Sequence, residues 1–341
     1  MLCRIFNILL PSLILLTVAN SCGNASGYAK VGGYAQGGTY SISLKLPEDV
    51  DASHIQHEAD SILLVIDNSL SGYNKGSLLS RLNSGEDLPL DDVFVECFTR
   101  SKEVFVESGG AFDPSAAPLF DLWGFGFSEG GEVSKAAVDS IMQFTGMDKL
   151  TLERREDGVH LKRSDSRIRL NFNAIAQGLS CDIIARALES HGCTDYLVEV
   201  GREIVCRGKR ENGEPWHVGI DKPVDSDGST VTIQDVISLS DRGIVTSGNY
   251  HKFYIKDGQK FAHTIDPRKG FPVQHTLLSA TVIAEDATLA DACATWFMVI
   301  GLEEAMSVVS QRNDIEAYLV YGDQEDMKVW ESDGLRSIGN Q

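Results

Sequence analysis

The chain has 341 residues, room for one large domain or two ordinary ones, and its 43% hydrophobic content allows a sizeable core. Forty-nine acidic against thirty basic side chains give a formal net charge of −19, a surface that repels phosphate backbones and disfavours generic nucleic-acid binding. No apolar run reaches the ~20 residues that a permanent membrane-crossing helix requires.

The amino end reads as an export signal. Arg4 supplies a small positive region, Ile5 to Ala19 is mostly Leu, Ile and Val, and Ala19-Asn20-Ser21 leads directly into Cys22. A cysteine immediately after small residues resembles a bacterial lipobox, so residues 1–21 are expected to be a lipoprotein signal peptide and Cys22 the lipidated residue. Residues 22–33, polar and Gly-rich, are expected to be a tether, with the folded domain over 34–341. An ordinary cleaved signal with an incidental Cys22 is the competing reading. Of the seven cysteines, discounting Cys3 and Cys22 leaves five, at 97, 181, 193, 206 and 293, an odd number without a C-x-x-C pair, so no complete disulfide framework and no zinc site is legible from them. A single bridge among Cys181, Cys193 and Cys206 stays open.

The periodicities then run in chain order. Thr39–Leu46 alternates as a half-buried strand, and Ser53–Leu70 repeats apolar residues at three and four as a helix capped by Ser53. A second helix is predicted over Asp91–Ser108, ended by Gly109, and a third over Gln177–His191, stopped by Gly192. Strands are predicted at Tyr196–Val200, Ile204–Arg207, Trp216–Ile220 and Val231–Leu239, and a hairpin joins Lys252–Lys256 to Lys260–His263 through Asp257-Gly258. Leu278–Ala284 and Ala317–Tyr321 read as late strands, with a helix between them at Ala287–Ile300. Helices and strands alternate without a βαβ cadence, which predicts an α+β fold.

Five loop clusters hold the chemistry. Ser71–Asn83 is rich in hydroxyls, Asn and Gly, suited to a ring or phosphate or simply to a loop before a short helix. Gly110–Gly126 and its edge carry Trp123, Phe125 and Phe127 among glycines, which suits either a stacked planar ligand or a plug in the core. Arg169–Asp182 runs from a strand end into a helix whose early Gly178 would let backbone amides approach an anion, although it is neither a Walker A loop nor a dinucleotide fingerprint. Thr246–Tyr250 reads as a polar turn, and His263 to Gly270 places a His beside Asp266 and Arg268, a candidate acid or base. In Asp286–Trp296, Asp291 and Thr295 lie four apart on one helix face, hard oxygen donors suited to Mg²⁺; a cap at Asp286 and a solvated Asp291 is the plainer alternative.

In this order the five clusters resemble the ApbE family, the FAD:protein FMN transferases, from Gln36-Gly37-Gly38-Thr39-Tyr40 to the helix holding Thr295. The resemblance implies sheets flanked by helices around an FAD cleft. It also implies an exported, lipid-anchored enzyme on the periplasmic side of the cell envelope that uses Mg²⁺ to move FMN from FAD onto a Thr or Ser of a target protein, releasing AMP. The implied acceptors are envelope redox proteins with a D-G-x-[ST]-G-A-T-like motif. The implied flavin contacts are Gln36, Tyr73, Ala111, Phe112, Asp113, Asn171, Gln177 and Ile265. The implied metal ligands are the carbonyl of Ala174 and the side chains of Asp291 and Thr295, and His263 would activate the acceptor hydroxyl. Three positions depart from the family: Asn171 for the usual Asp, Gly201-Arg202-Glu203 for Gly-Gly-Glu, and the inserted Gly37-Gly38 before Thr39. An FAD pyrophosphatase and a non-enzymatic flavin-binding lipoprotein are the rival functions.

Overall fold

A computed structural model describes residues 27–127, 130–223, 233–249, 253–256, 259–262, 264–323 and 326–338. Its centre is one sheet of eight strands that lie side by side in chain order, antiparallel at every junction. These are β1 (Tyr28–Ala35), β2 (Gly38–Lys45), β3 (Tyr196–Val200), β4 (Glu203–Arg207), β5 (Arg242–Gly248), β6 (Leu277–Ala284), β7 (Glu316–Gly322) and β8 (Met327–Glu331). Of the long helices, α1 (Ala52–Leu70), α3 (Ala176–Ser190) and α4 (Ala287–Ile300) pack on it, and α2 (Asp92–Glu107) packs on α1 and α4. The α+β expectation holds.

The alternation in β2 does what its pattern demands, burying Tyr40, Ile42 and Leu44. Helix α4 is different: it is apolar around nearly its full circumference and buries eleven of its fourteen residues between the sheet and the other helices. It reaches the sheet closely because β5 offers Gly243, where a Cβ would meet the backbone of Asp286 and Ala287 at 2.3–2.5 Å. On its other side a Cβ at Gly178 of α3 would meet the carbonyl oxygen of Ala287 at 2.3 Å. Two glycines thus bring α4 against backbone on both sides.

Several boundaries differ from the sequence reading. The tether read over 22–33 overlaps β1, which begins at Tyr28 and pairs along its length with β2. Its glycines and alanines lack the apolar alternation of a strand, which is why the segment resembles a tether. Gly32 is needed there because a Cβ would lie 2.6 Å from the Tyr40 carbonyl oxygen. Gln36 and Gly37, with φ of 52° and 79°, form the two-residue turn of that hairpin, so the inserted glycines are turn chemistry. Helix α1 is capped by Asp51, whose carboxylate accepts the Ser53 N–H at 2.7 Å, in place of Ser53 itself. Thr246-Ser247-Gly248 continue β5 between β4 and β6 and do not turn. The hairpin pairs Phe253–Lys256 with Gln259–Ala262; its turn residues and its ends at 252 and 263 lie outside the described residues. The five cysteines from 97 to 293 are buried free thiols, which closes the question of a bridge among 181, 193 and 206.

Candidate active site

A cavity of about 750 Å³ opens at the junction of β4, β5, α4 and the loop that leads into α3, within the size range of cofactor-binding clefts. All five sequence clusters reach it. The first supplies Tyr73, 65% exposed, whose ring meets Phe127 edge-on at 5.0 Å and whose hydroxyl accepts from the Asn173 amide at 3.3 Å. The second supplies Ala111, Phe112 and Asp113, then Phe120 and Phe125. Asp113 is buried and bonded to the Ser115 N–H and hydroxyl at 2.8 and 2.6 Å; burial pushes it up to about 6 despite those bonds.

The aromatics of the second cluster divide between the two readings offered for them. Both Trp123 and Phe125 pack against a small apolar cluster, but only Phe125 also lines the cavity, while Trp123 donates its indole N–H to the Gly270 carbonyl at 3.0 Å. Residues 117–122 inside this stretch form a short helix, so the segment is not loop throughout.

The third cluster brings Asn171, Asn173 and Ala174 to the wall. Asn171 accepts the Asn173 N–H at 2.9 Å through its side-chain oxygen, a turn that an Asp would make equally well. The departure at this position therefore preserves the local backbone and removes only a charge. Gly178 does not offer its N–H to a ligand: it donates to the Asp291 carboxylate at 3.1 Å.

From the fourth cluster, Ser247 and Gly248 end β5 at the cavity, and Thr264 and Ile265 face it. Ile265 is fully buried, and Thr264 donates to the Asn249 side chain at 2.6 Å. Asp266 fixes the turn that follows by accepting the Arg268 N–H and pairing with the Arg268 and Lys269 side chains. His263 lies outside the described residues. Gln36 and Gln177 are not among the cavity-lining residues; Gln36 donates to the Ser180 hydroxyl at 2.6 Å, behind the first turn of α3.

The fifth cluster gives the cavity its acid end. Asp291 and Thr295 share the inner face of α4, with the Thr295 hydroxyl 3.5 Å from that of Ser247. Asp291 is 5% exposed, so the solvated alternative fails, while Asp286 does cap α4 by accepting the Leu289 N–H at 2.7 Å. Burial holds the Asp291 carboxyl well above the usual range against the lowering effect of its Gly178 bond, and Asp182 adds repulsion.

Glu203, at the start of β4, also lines this end, and its Oε2 is buried with no hydrogen-bond partner. Burial first, then the charge of Asp291, raises its carboxyl. In the sequence Glu203 stands only within the variant triplet Gly201-Arg202-Glu203, and an acid directly after a tight Gly-containing turn between two strands is the signal that marks it. Its neighbour Arg202 holds φ of 124°, a conformation that favours glycine, and its guanidinium pairs with Asp221. Two facing carboxylates, one with an oxygen left bare in a buried wall, form a donor set that fits a hard divalent cation.

The antiparallel sheet with this cleft defines an α+β architecture whose cavity is lined by aromatic and acidic side chains. The sequence model of the ApbE family matches residues 37–319. A relative from Escherichia coli K12, named FAD:protein FMN transferase, is 34% identical over 277 residues, covering 80% of this chain and 78% of its own. The solved flavin transferase ApbE from Vibrio cholerae superposes with a TM-score of 0.79 at 29% identity, covering 91% of this chain and 99% of that one. The Pseudomonas stutzeri flavinyl transferase ApbE, solved in its apo form, gives 0.80 at 29%, covering 91% and 96%. The chain belongs to the ApbE family.

Proposed function

We infer that the protein transfers FMN from FAD to a hydroxyl of another protein. The observation that carries this is the lining of the one cleft where all five clusters meet, which combines aromatic Tyr73 and Phe125 with Asp291, Glu203 and Thr295. A flat ring suits the aromatic wall, and a pyrophosphate suits an acid end only when a cation lies between them. Asp291, Thr295 and the Ala174 carbonyl would hold Mg²⁺, with the bare Glu203 oxygen facing the same space. Bound there, Mg²⁺ supplies positive charge against the phosphate oxygens.

In the reaction, a Thr or Ser oxygen of the acceptor forms a bond to the FMN phosphorus. The bond from that phosphorus to the AMP oxygen breaks, and AMP departs. His263 is the group proposed to take the hydroxyl proton; the two residues that follow it, Thr264 and Ile265, line the cavity, and an imidazole with a reference pKa of ~6.5 is ready to accept at pH 7. Ala111, Phe112, Asp113, Asn171 and Ile265 are proposed to hold the flavin nucleotide. Gln177, in the first turn of α3, and Gln36, bonded to Ser180 of the same helix, are proposed to join them.

Cys22, outside the described residues, is proposed to carry the lipid that anchors the enzyme to the envelope with its domain facing the periplasm. Because the folded sheet begins at Tyr28, that anchor would leave the domain close to the membrane surface.

The test is incubation with FAD, Mg²⁺ and a peptide carrying the D-G-x-[ST]-G-A-T pattern. Equal amounts of AMP and flavinylated peptide support transfer. AMP with free FMN and unmodified peptide establishes the pyrophosphatase, and tight FAD binding without AMP establishes a flavin-storage protein. His263→Ala should bind FAD normally and transfer ~10²–10⁴-fold more slowly.

A further inference from the structure

The described residues hold one other convergence of metal-ligating side chains, apart from the cleft. His54 and Glu58 lie one turn apart on the same face of α1, and His191 caps the carboxyl end of α3. The Glu58 Oε2 is 2.7 Å from the His191 Nε2, and the rings of His54 and His191 meet edge-on with centroids 5.3 Å apart. One donor atom from each of the three lies within 4.8 Å of the other two. None of the three lines the cavity.

We propose that His54, Glu58 and His191 form a binding site for a zinc-class divalent cation. Two imidazoles and a carboxylate are the ligand set that such borderline ions prefer over Mg²⁺, with a fourth position left to water. Tetrahedral bonds of about 2.0–2.2 Å set the donors roughly 3.4 Å apart, so the ion enters between Glu58 and His191, which separate by under about 1 Å, while His54 draws in by roughly 1 Å. His54 is exposed, so its side chain can turn without disturbing the core. Glu58 and His191 are half-buried and already in contact, which leaves the least ordering to the ion.

Electrostatics favours the same outcome. His191 sits where the α3 carbonyls concentrate partial negative charge, which a cation relieves. Among the described residues no Lys or Arg pairs with Glu58, so its carboxylate is not already committed to a fixed charge. His57, the other histidine of this stretch, turns its Nδ1 to the Ser53 carbonyl at 2.7 Å and is not part of the set. The bound ion would staple the first turns of α1 to the last turn of α3, the helix whose opposite end presents Gly178 to Asp291.

The experiment uses chelator-stripped protein in saturating Mg²⁺, which occupies hard-oxygen sites, and titrates Co²⁺ and then Zn²⁺. The site gives an intense four-coordinate Co²⁺ absorption that Zn²⁺ displaces, one zinc per chain after gel filtration, and a rise of several degrees in the unfolding midpoint. His54→Gln and His191→Gln abolish all three, while His54→Gln keeps the Mg²⁺-dependent activity of the parent. Should His191→Gln fail to fold, His54→Gln decides alone, since its side chain is exposed. Absence of retained zinc in the parent, or zinc retention by His54→Gln equal to the parent, overturns the proposal.

Discussion

Two buried aspartates at the junction of α3 and α4 have nearly the same surroundings and opposite fates. Asp182 accepts the N–H groups of Ala287 and Thr288 at 3.0 and 2.8 Å and the Thr288 hydroxyl as well. Its oxygens are spent on the first turn of α4. Asp291, on the cavity side of the same helix, has a single bond from Gly178 and faces Glu203, whose Oε2 has none. Burial raises all three carboxyls, Asp182 to about 6, with repulsion from Asp286 adding to it. Near Asp182 the protein has completed its own hydrogen bonding; near Asp291 it has left capacity for a ligand. Buried polar groups are nearly always partnered, so the second region is the one that points to function.

The sharpest way to break this contrast is Asp291→Asn. The amide oxygen still accepts from Gly178, so the unfolding midpoint should not fall, while FMN transfer at ordinary Mg²⁺ should drop by about 10²–10³-fold, the usual scale for one lost electrostatic contact to a transition state. Steady-state transfer and a thermal melt check it together. Asp182→Ala should do the reverse. It strands two buried N–H groups and should cost about 3 kcal/mol of stability, read as a fall of several degrees, with residual folded enzyme still active.

The pH dependence separates the two regions further. A carboxyl raised in the folded state keeps a proton that the unfolded chain releases above about pH 4, so the fold loses stability as pH climbs. For Asp182 and Asp113 that loss runs from about pH 4 through about 6; for Asp291 and Glu203 it continues higher. Metal-free protein should therefore melt lower at pH 8 than at pH 5. Mg²⁺ should recover the part due to Asp291 and Glu203 only, and Asp291→Asn should flatten the upper part of the slope. The smallest expected effect is at Arg202. Replacing it with Gly relieves a φ of 124° at the loss of one largely exposed ion pair, and should raise stability by about 1 kcal/mol in a denaturant titration.

Legibility in the sequence followed local pattern. Tyr196–Val200 and Ala287–Ile300 were readable to the residue because period and composition agreed, and helical spacing put Asp291 and Thr295 on one face, while their pairing as ligands came from the family resemblance. β1 was not readable, since its small residues bury little and it is ordered by pairing with β2. Thr246-Ser247-Gly248 reads as a turn by its polarity, yet Thr246 bonds Thr281 across the sheet and Ser247 and Gly248 line the cavity, tertiary facts with no local signature. Gly178 looked like an anion contact, but its lack of a Cβ is needed for the approach of α4. Glu203 was missed as a wall residue because only the folded sheet brings β4 against α4.

The most direct measurement of the claim that Asp291 and Glu203 form an unfinished cation site is a Mn²⁺ titration with FAD present, following the electron paramagnetic resonance of free Mn²⁺. The wild-type protein and Asp182→Asn should each bind one FAD-dependent ion per chain. Asp291→Asn should bind none, and Glu203→Gln should bind about 10–100-fold more weakly. Mn²⁺ binding by Asp291→Asn equal to wild type, or its loss in Asp182→Asn with the fold intact, would contradict the account.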